Sequence, residues 1–198
     1  MSRFVLGLDL GMRRDYTALA ACELHRSPGG RDPVTYQTVY RQAAALRGLE
    51  RMKLGVGYLA VPEWVGGLLR RWNISGAALV VDATGVGAPV VELLRREHLP
   101  CSIVPVTITA SGPAHADSTG WKVSRTELLT RLGTALESQR IQIAAGLREA
   151  AALREEMLAL RPRATTHDDL TLAFALAWWY AEKHSQPIQG NRPLGIEY

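Results

Sequence analysis

The chain has 198 residues, a length that allows one domain with a full hydrophobic core and is too short for two substantial domains. Hydrophobic residues make up 47% of it and charged residues 21%, which excludes the disordered and collagen-like classes. The formal net charge of +4 fits nucleic-acid binding without requiring it. The longest apolar runs, about ten residues, are too short for a bilayer span, so we expect no membrane association and a cytoplasmic location.

The first part of the chain predicts strands. Three apolar or alternating segments joined by short turns are Phe4–Leu10, Tyr16–Leu24 and Val34–Ala43. The following segment, Leu46–Trp72, is predicted to contain a crossover helix opened by Pro62. The two cysteines, Cys22 and Cys101, lack metal-site spacing and are predicted to be free thiols.

The middle of the chain predicts a β-turn-α unit and a further strand. Its parts are the strand Ala77–Val81, the glycine turn Thr84–Gly87, the helix Pro89–Arg96 and the strand Ser102–Ile108. The segment Thr109–Gly120 is small, polar and without periodicity, and we expect an exposed, mobile loop that contacts substrate.

The last part of the chain predicts helices. One carries the stripe of Leu128, Leu132 and Leu136, and two more cover Leu147–Leu160 and Asp168–Lys183. Residues 1–185 are thus predicted to form one domain, and 186–198 an extended tail. The order β-β-β-α-β-α-β followed by helices predicts an α/β fold. Its central mixed sheet has five strands, a three-stranded antiparallel meander plus two parallel strands, flanked by helices.

Aspartates occur where these elements begin or end. Asp9 ends the first strand, Asp82 ends the fourth, and Asp168 and Asp169 open the last helix. If the two strands are parallel neighbours, their carboxylates emerge at one sheet edge and repel unless a cation lies between them. Oxygen ligands without clustered Cys or His favour Mg²⁺ or Mn²⁺ over zinc. Taken singly, each aspartate is also explained as a turn former or, for the pair with Thr166, as a helix N-cap.

Four stretches resemble the nuclease domain of the large terminase subunit of tailed phages. They begin at Gly7-Leu8-Asp9, Val81-Asp82-Ala83-Thr84-Gly85, Trp121-Lys122-Val123 and His167-Asp168-Asp169-Leu170. The resemblance implies a ribonuclease H-like fold and an endonuclease that cuts concatemeric viral DNA during genome packaging. It also implies that Asp9, Asp82 and Asp168 or Asp169 are the catalytic ligands of two divalent cations, Mg²⁺ or Mn²⁺, in two-metal-ion phosphodiester hydrolysis.

The resemblance also suggests roles for residues around the acids. Asp15 has two open roles, contact with a water bound to the metal or capping of the first turn. His167 has three, as an accessory ligand, as a partner of the metal ligands or as an ordinary residue at the helix start. The basic residues near the predicted metal edge are expected to bind phosphates of double-stranded DNA: Arg13, Arg14, Lys122 and Arg125. The resemblance further implies three partners, a terminase ATPase motor, a small terminase subunit and a portal. It implies a phage or prophage gene and a location in the cytoplasm of the bacterial host.

Other functions remain open from the sequence. No G-x-x-x-x-G-K-[ST] phosphate loop occurs in the chain, so no ATPase domain is expected in it. A Holliday-junction resolvase-like endonuclease shares the predicted fold and metal chemistry. A non-catalytic DNA-binding or assembly module would use the acids only to hold turns. An actin-like ATPase or sugar kinase would need two lobes of this kind.

Overall fold

The three predicted N-terminal strands are present, and two of them are longer than predicted. The computed structural model describes residues 4–11, 15–85, 87–159 and 167–184, and the predicted tail 186–198 lies outside them. Strand β1 covers Phe4–Asp9, β2 Ala18–Arg31 and β3 Thr38–Arg51, all antiparallel to their sequence neighbours.

The start of the segment predicted as a crossover is strand instead. Strand β3 continues to Arg51, and its residues Leu46 and Leu49 are buried in the core. The β2–β3 pairing shifts register between Ala21 and Cys22. A 3-10 turn, Tyr58–Ala60, and helix α1, Val61–Arg71, then make the predicted crossover.

The β-turn-α unit and the following strand agree with prediction. Strand β4 covers Ala77–Asp82, helix α2 Gly87–Arg96 and strand β5 Cys101–Thr109. Cys22 and Cys101 are both free thiols, as predicted.

The prediction of a loop over Thr109–Gly120 is wrong in its second half. Strand β6, His115–Asp117, and strand β7, Gly120–Ser124, form a hairpin on the edge of the sheet. The Asp117 carboxylate accepts hydrogen bonds from the Thr119 backbone N–H at 2.8 Å and hydroxyl at 2.6 Å, which closes the turn. Three-residue edge strands are too short to give a periodic sequence signal.

The C-terminal elements are mainly helical. Helix α3 covers Arg125–Glu137, strand β8 Ile141–Ile143, helix α4 Ala150–Ala159 and helix α5 Asp169–Lys183. Among the described residues, no helix is both long and apolar enough to cross a membrane.

The predicted strands form the centre of a mixed sheet. The strand order is β6-β7-β5-β4-β1-β2-β3-β8, with β4 parallel to both β1 and β5. The predicted α/β class and the central five strands are therefore confirmed, and the short strands β6, β7 and β8 extend the sheet beyond the predicted five.

Helices cover both faces of the sheet and enclose two apolar clusters. On one face of the sheet, an apolar cluster packs β1, β2 and β3 against α3 and α5. On the opposite face, a second cluster packs the sheet against α1 and α2. Helix α5 is buried along most of its length. It passes so close to β1 that a Cβ at Gly7 would lie 1.9 Å from the Ala173 carbonyl oxygen. This close approach fixes the start of α5 relative to the end of β1.

Candidate metal centre

Asp9 and Asp82 lie side by side at the ends of two adjacent parallel strands. Leu8 pairs with Val81, so the two aspartates are the next residues on β1 and β4. Val5 and Val80 belong to the cluster around α5, and side chains alternate along a strand. Asp9 and Asp82 therefore point to the face that α5 covers, and the predicted arrangement of neighbouring parallel strands is confirmed.

Asp9 is a buried carboxylate among other acids. Its side chain lies at the core boundary, with 9% of the residue exposed. Burial raises the pKa of Asp9 well above its ordinary value, and the negative charges of Asp82, Asp169, Glu156 and Asp15 raise it further. An ionised Asp9 therefore needs a compensating cation.

Asp82 combines a turn-forming contact with partial burial. Its Oδ1 accepts a hydrogen bond of 2.8 Å from the Thr84 backbone N–H. Burial raises the pKa of Asp82, against the lowering effect of that contact with Thr84. The turn-former interpretation is thus correct for one oxygen, and it does not account for the burial of the carboxylate beside Asp9.

The two aspartates at the start of α5 have different surroundings. Asp169 is buried and belongs to the acids that perturb Asp9. The Asp168 carboxylate instead forms an ion pair with Arg125, the first residue of α3. Asp168 is the N-cap residue by position, yet its side chain makes no capping hydrogen bond, so the predicted capping role is wrong for Asp168. Thr166 lies outside the described residues.

Glu156 on helix α4 provides the missing cap. Its carboxylate accepts hydrogen bonds from the backbone N–H groups of Leu170 at 3.4 Å and Thr171 at 2.8 Å, and from the Thr171 hydroxyl at 2.9 Å. An anion at this position also interacts favourably with the helix dipole. Sequence reasoning missed Glu156, although it lies three residues after the buried Leu153, on the buried face of its helix.

Arg51 joins two of these acids. Its Nε donates to Asp169 Oδ2 at 2.7 Å, its Nη2 donates to Glu156 Oε1, and its guanidinium lies 4.7 Å from the centre of the Tyr16 ring. Only 17% of the Arg51 side chain is exposed. The sequence analysis missed this residue too, because an arginine at a strand end gives no motif.

The remaining residues predicted for the site, apart from Arg125, make contacts outside the group of Asp9, Asp82 and Asp169 or lie outside the described residues. His167 Nδ1 lies 3.4 Å from Asp15 Oδ1, and its ring makes an edge contact with Tyr16. Lys122 Nζ lies 2.8 Å from Asp117 Oδ2, and this contact lowers the pKa of the Asp117 carboxyl. Trp121 and Val123 face α5, so alternation places Lys122 on the opposite face from Asp9. Arg13 and Arg14 lie outside the described residues.

The donors present are those of a hard divalent cation. Asp9, Asp82 and Asp169 offer carboxylate oxygens from two strand ends and one helix start, the set that suits Mg²⁺ or Mn²⁺. Within the described ranges, no three His, Cys, Asp or Glu side chains converge closely enough to enclose an ion. The Asp169 carboxylate is in contact with Arg51, and the excess negative charge around Asp9 fits a cation.

A groove opens at the same sheet edge. It has a volume of about 330 Å³ and lies between the turn after β1 and the loop after β3. Asp15 and Thr17 line one side, and the segment from Met52 to Tyr58 lines the other. Lys53 gives this groove a positive charge.

The topology and the acid-bearing edge define a ribonuclease H-like fold, and solved structures agree. The large terminase nuclease of the thermophilic phage G20c, with bound zinc, has 20% identity and a TM-score of 0.57, over 90% of this chain and 81% of that one. The human cytomegalovirus terminase nuclease domain has 15% identity and a TM-score of 0.57, over 89% and 82%.

A third structure aligns over a similar share of the chain. The nuclease domain of the large terminase subunit of the bacterial virus Sf6, with manganese and beta-thujaplicinol, has 11% identity and a TM-score of 0.62, over 89% and 87% of the two chains. No family profile and no curated protein matches the sequence significantly. The chain therefore has the fold of the terminase nuclease domains, and the predicted fold is confirmed.

Proposed function

We propose that the protein is a metal-dependent DNA endonuclease. The observation that carries the proposal is the buried Asp9 at the end of a central strand, with Asp82 and Asp169 as its acidic neighbours. A buried group of like charges is costly unless a cation compensates it. Two of the structures with this fold contain zinc or manganese, which supports a divalent metal here.

Asp9, Asp82 and Asp169 are the residues that would hold the metal. Divalent ions bound there supply Lewis acidity for phosphodiester hydrolysis and lower the pKa of water. The chain itself contributes rigid placement: Asp9 and Asp82 are fixed by strand pairing, and Asp169 by the close packing of α5 on β1. Asp168 is assigned a different role, since its carboxylate holds Arg125.

DNA would approach the acids along the sheet edge. Arg125 is held beside Asp168, and Lys53 lies in the adjacent groove, so both offer positive charge for phosphate contacts. Arg13 and Arg14, which lie outside the described residues, stay candidates from sequence alone. Lys122 is paired with Asp117 across the β6–β7 hairpin and would need to leave that partner to bind a phosphate.

The biological setting proposed is viral genome packaging. It rests on the fold shared with terminase nuclease domains and on the resemblance of the acidic motifs. In that setting the enzyme cuts concatemeric double-stranded DNA in a bacterial cytoplasm and works with a terminase motor, a small terminase subunit and a portal.

The test is incubation of the purified protein with supercoiled plasmid in Mn²⁺, Mg²⁺ or chelator. We expect metal-dependent nicking and linearisation by the wild type and loss of cleavage in Asp82→Asn. Asp32→Asn is the matched control, because Asp32 caps an exposed hairpin turn through Val34 and Thr35. Cleavage that survives in chelator or in Asp82→Asn would refute the mechanism. Preference for four-way junctions over linear duplex would favour a resolvase-like function instead.

A further inference from the structure

Arg51 places a positive charge between two buried acids. Its guanidinium contacts Asp169 and Glu156, residues 118 and 105 positions away in sequence, from the end of strand β3. The side chain is 17% exposed, and those of Glu156 and Asp169 are 5% and 4% exposed. Salt screens such a largely buried ion pair much less than an exposed one, and its hydrogen bonds fix its geometry.

The two oxygens of Asp169 are held unequally. Oδ2 accepts from Arg51 Nε at 2.7 Å, whereas Oδ1 lies 3.4 Å from Arg51 Nη2. The short contact fixes the rotation of the carboxylate, and Oδ1 makes the longer and therefore weaker of the two contacts with Arg51. Arg51 Nη2 also donates to Glu156, and Glu156 is itself fixed by hydrogen bonds to the start of α5, so Arg51 has a second anchor beside Asp169.

Tyr16 fixes the guanidinium from a third direction. Its ring centre lies 4.7 Å from Arg51 Cζ, a stacking distance for a guanidinium on an aromatic face. A planar fork that contacts two carboxylates and an aromatic ring cannot be replaced by the single ammonium of a lysine.

We infer that Arg51 is a positioning residue for the metal site: it orients the Asp169 carboxylate toward Asp9 and Asp82 while Glu156 and Tyr16 hold it in place. The inference rests on the proposed function, because it assigns Asp169 to a metal. Arg51 also supplies positive charge to the acids before a metal binds, so substitution changes both orientation and charge. The variants below separate the two effects.

The experiment is titration of wild-type protein and variants with MnCl₂ by isothermal calorimetry, without DNA. Arg51→Lys keeps the charge and loses the fork, and Arg51→Met loses both. We expect each to bind Mn²⁺ at least about 10-fold more weakly than the wild type, the range found when a residue supporting a metal ligand is lost. If Arg51→Met does not fold, Arg51→Lys decides alone.

Arg140→Met is the control. Arg140 has a similarly covered side chain, 18% exposed, with an ion pair of 2.6 Å to Glu182 and a stacking contact of 5.1 Å on Trp178. It lies in the α3–β8 connection, away from the acids, so its loss should affect stability and leave Mn²⁺ affinity unchanged.

The outcomes separate the inference from the proposed function. Affinity in Arg51→Lys equal to or higher than that of the wild type would overturn the inference, and it would show that Arg51 only competes with the metal. Wild-type protein that binds no Mn²⁺ would overturn the proposed function as well. Reduced affinity in the Arg51 variants but not in Arg140→Met supports the positioning role.

Discussion

Substitution of Gly7 by alanine tests how the fold positions the site. A Cβ at this position would lie 1.9 Å from the Ala173 carbonyl oxygen and 2.8 Å from the Ala177 backbone nitrogen, both in α5. Ordinary contact begins at 3.4 Å, so β1 and α5 would have to separate by about 1.5 Å. Overpacking against backbone costs about 3 kcal/mol, which for a chain of this size lowers Tm by roughly 9 °C.

The assay is thermal and urea unfolding followed by circular dichroism. Gly133→Ala is the matched control, because Gly133 lies inside helix α3 with open space around its Cα. The control should gain about 0.5–1 kcal/mol from helix propensity. We also expect Gly7→Ala to bind Mn²⁺ more weakly, since α5 carries Asp169. A Gly7→Ala protein with wild-type stability would refute the described packing of α5 on β1.

Two further predictions concern the acids. The pKa of Asp9 is raised in the folded state, so the folded protein binds a proton there more tightly than the unfolded chain does. In chelator, the free energy of unfolding of the wild type should therefore fall as pH rises from near 3.8 through that raised pKa. The decrease should be smaller in Asp9→Asn. Equal pH dependence in urea unfolding would contradict the burial of Asp9. Glu156→Ala removes the α5 cap and a buried partner of Arg51, and should cost about 3 kcal/mol, whereas the exposed Glu155→Ala should cost almost nothing. Equal urea midpoints for these two variants would contradict the capping role.

The sequence predicts those parts of the site that depend on local pattern. Asp9 and Asp82 each end an apolar strand, and the predicted crossover before β4 is compatible with the parallel pairing of β1 and β4 that the structure shows. The edges of the sheet were less predictable. Strand β6 lies in the small, polar segment and β7 begins at its last residue, and the hairpin joins the sheet through the pairing of β7 with β5.

The supporting contacts of the site depend on tertiary packing. Arg51 lies 105 and 118 positions from Glu156 and Asp169 in sequence, and no local pattern brings it to them. The division of labour between Asp168 and Asp169 is equally non-local, because it depends on where Arg125 and Arg51 lie. Sequence reasoning therefore found the acid pair and left open which member faces Asp9.

Asp9, Asp82 and Asp169 are proposed to form one metal site. Its most direct test is a crystal structure of the protein with MnCl₂, with anomalous diffraction recorded at the manganese edge. We predict an anomalous peak in contact with Asp9 and Asp82 and with an oxygen of Asp169, and loss of that peak in Asp9→Asn. An anomalous map of good quality with no peak at these carboxylates, or with a peak only elsewhere, would contradict a metal site formed by Asp9, Asp82 and Asp169.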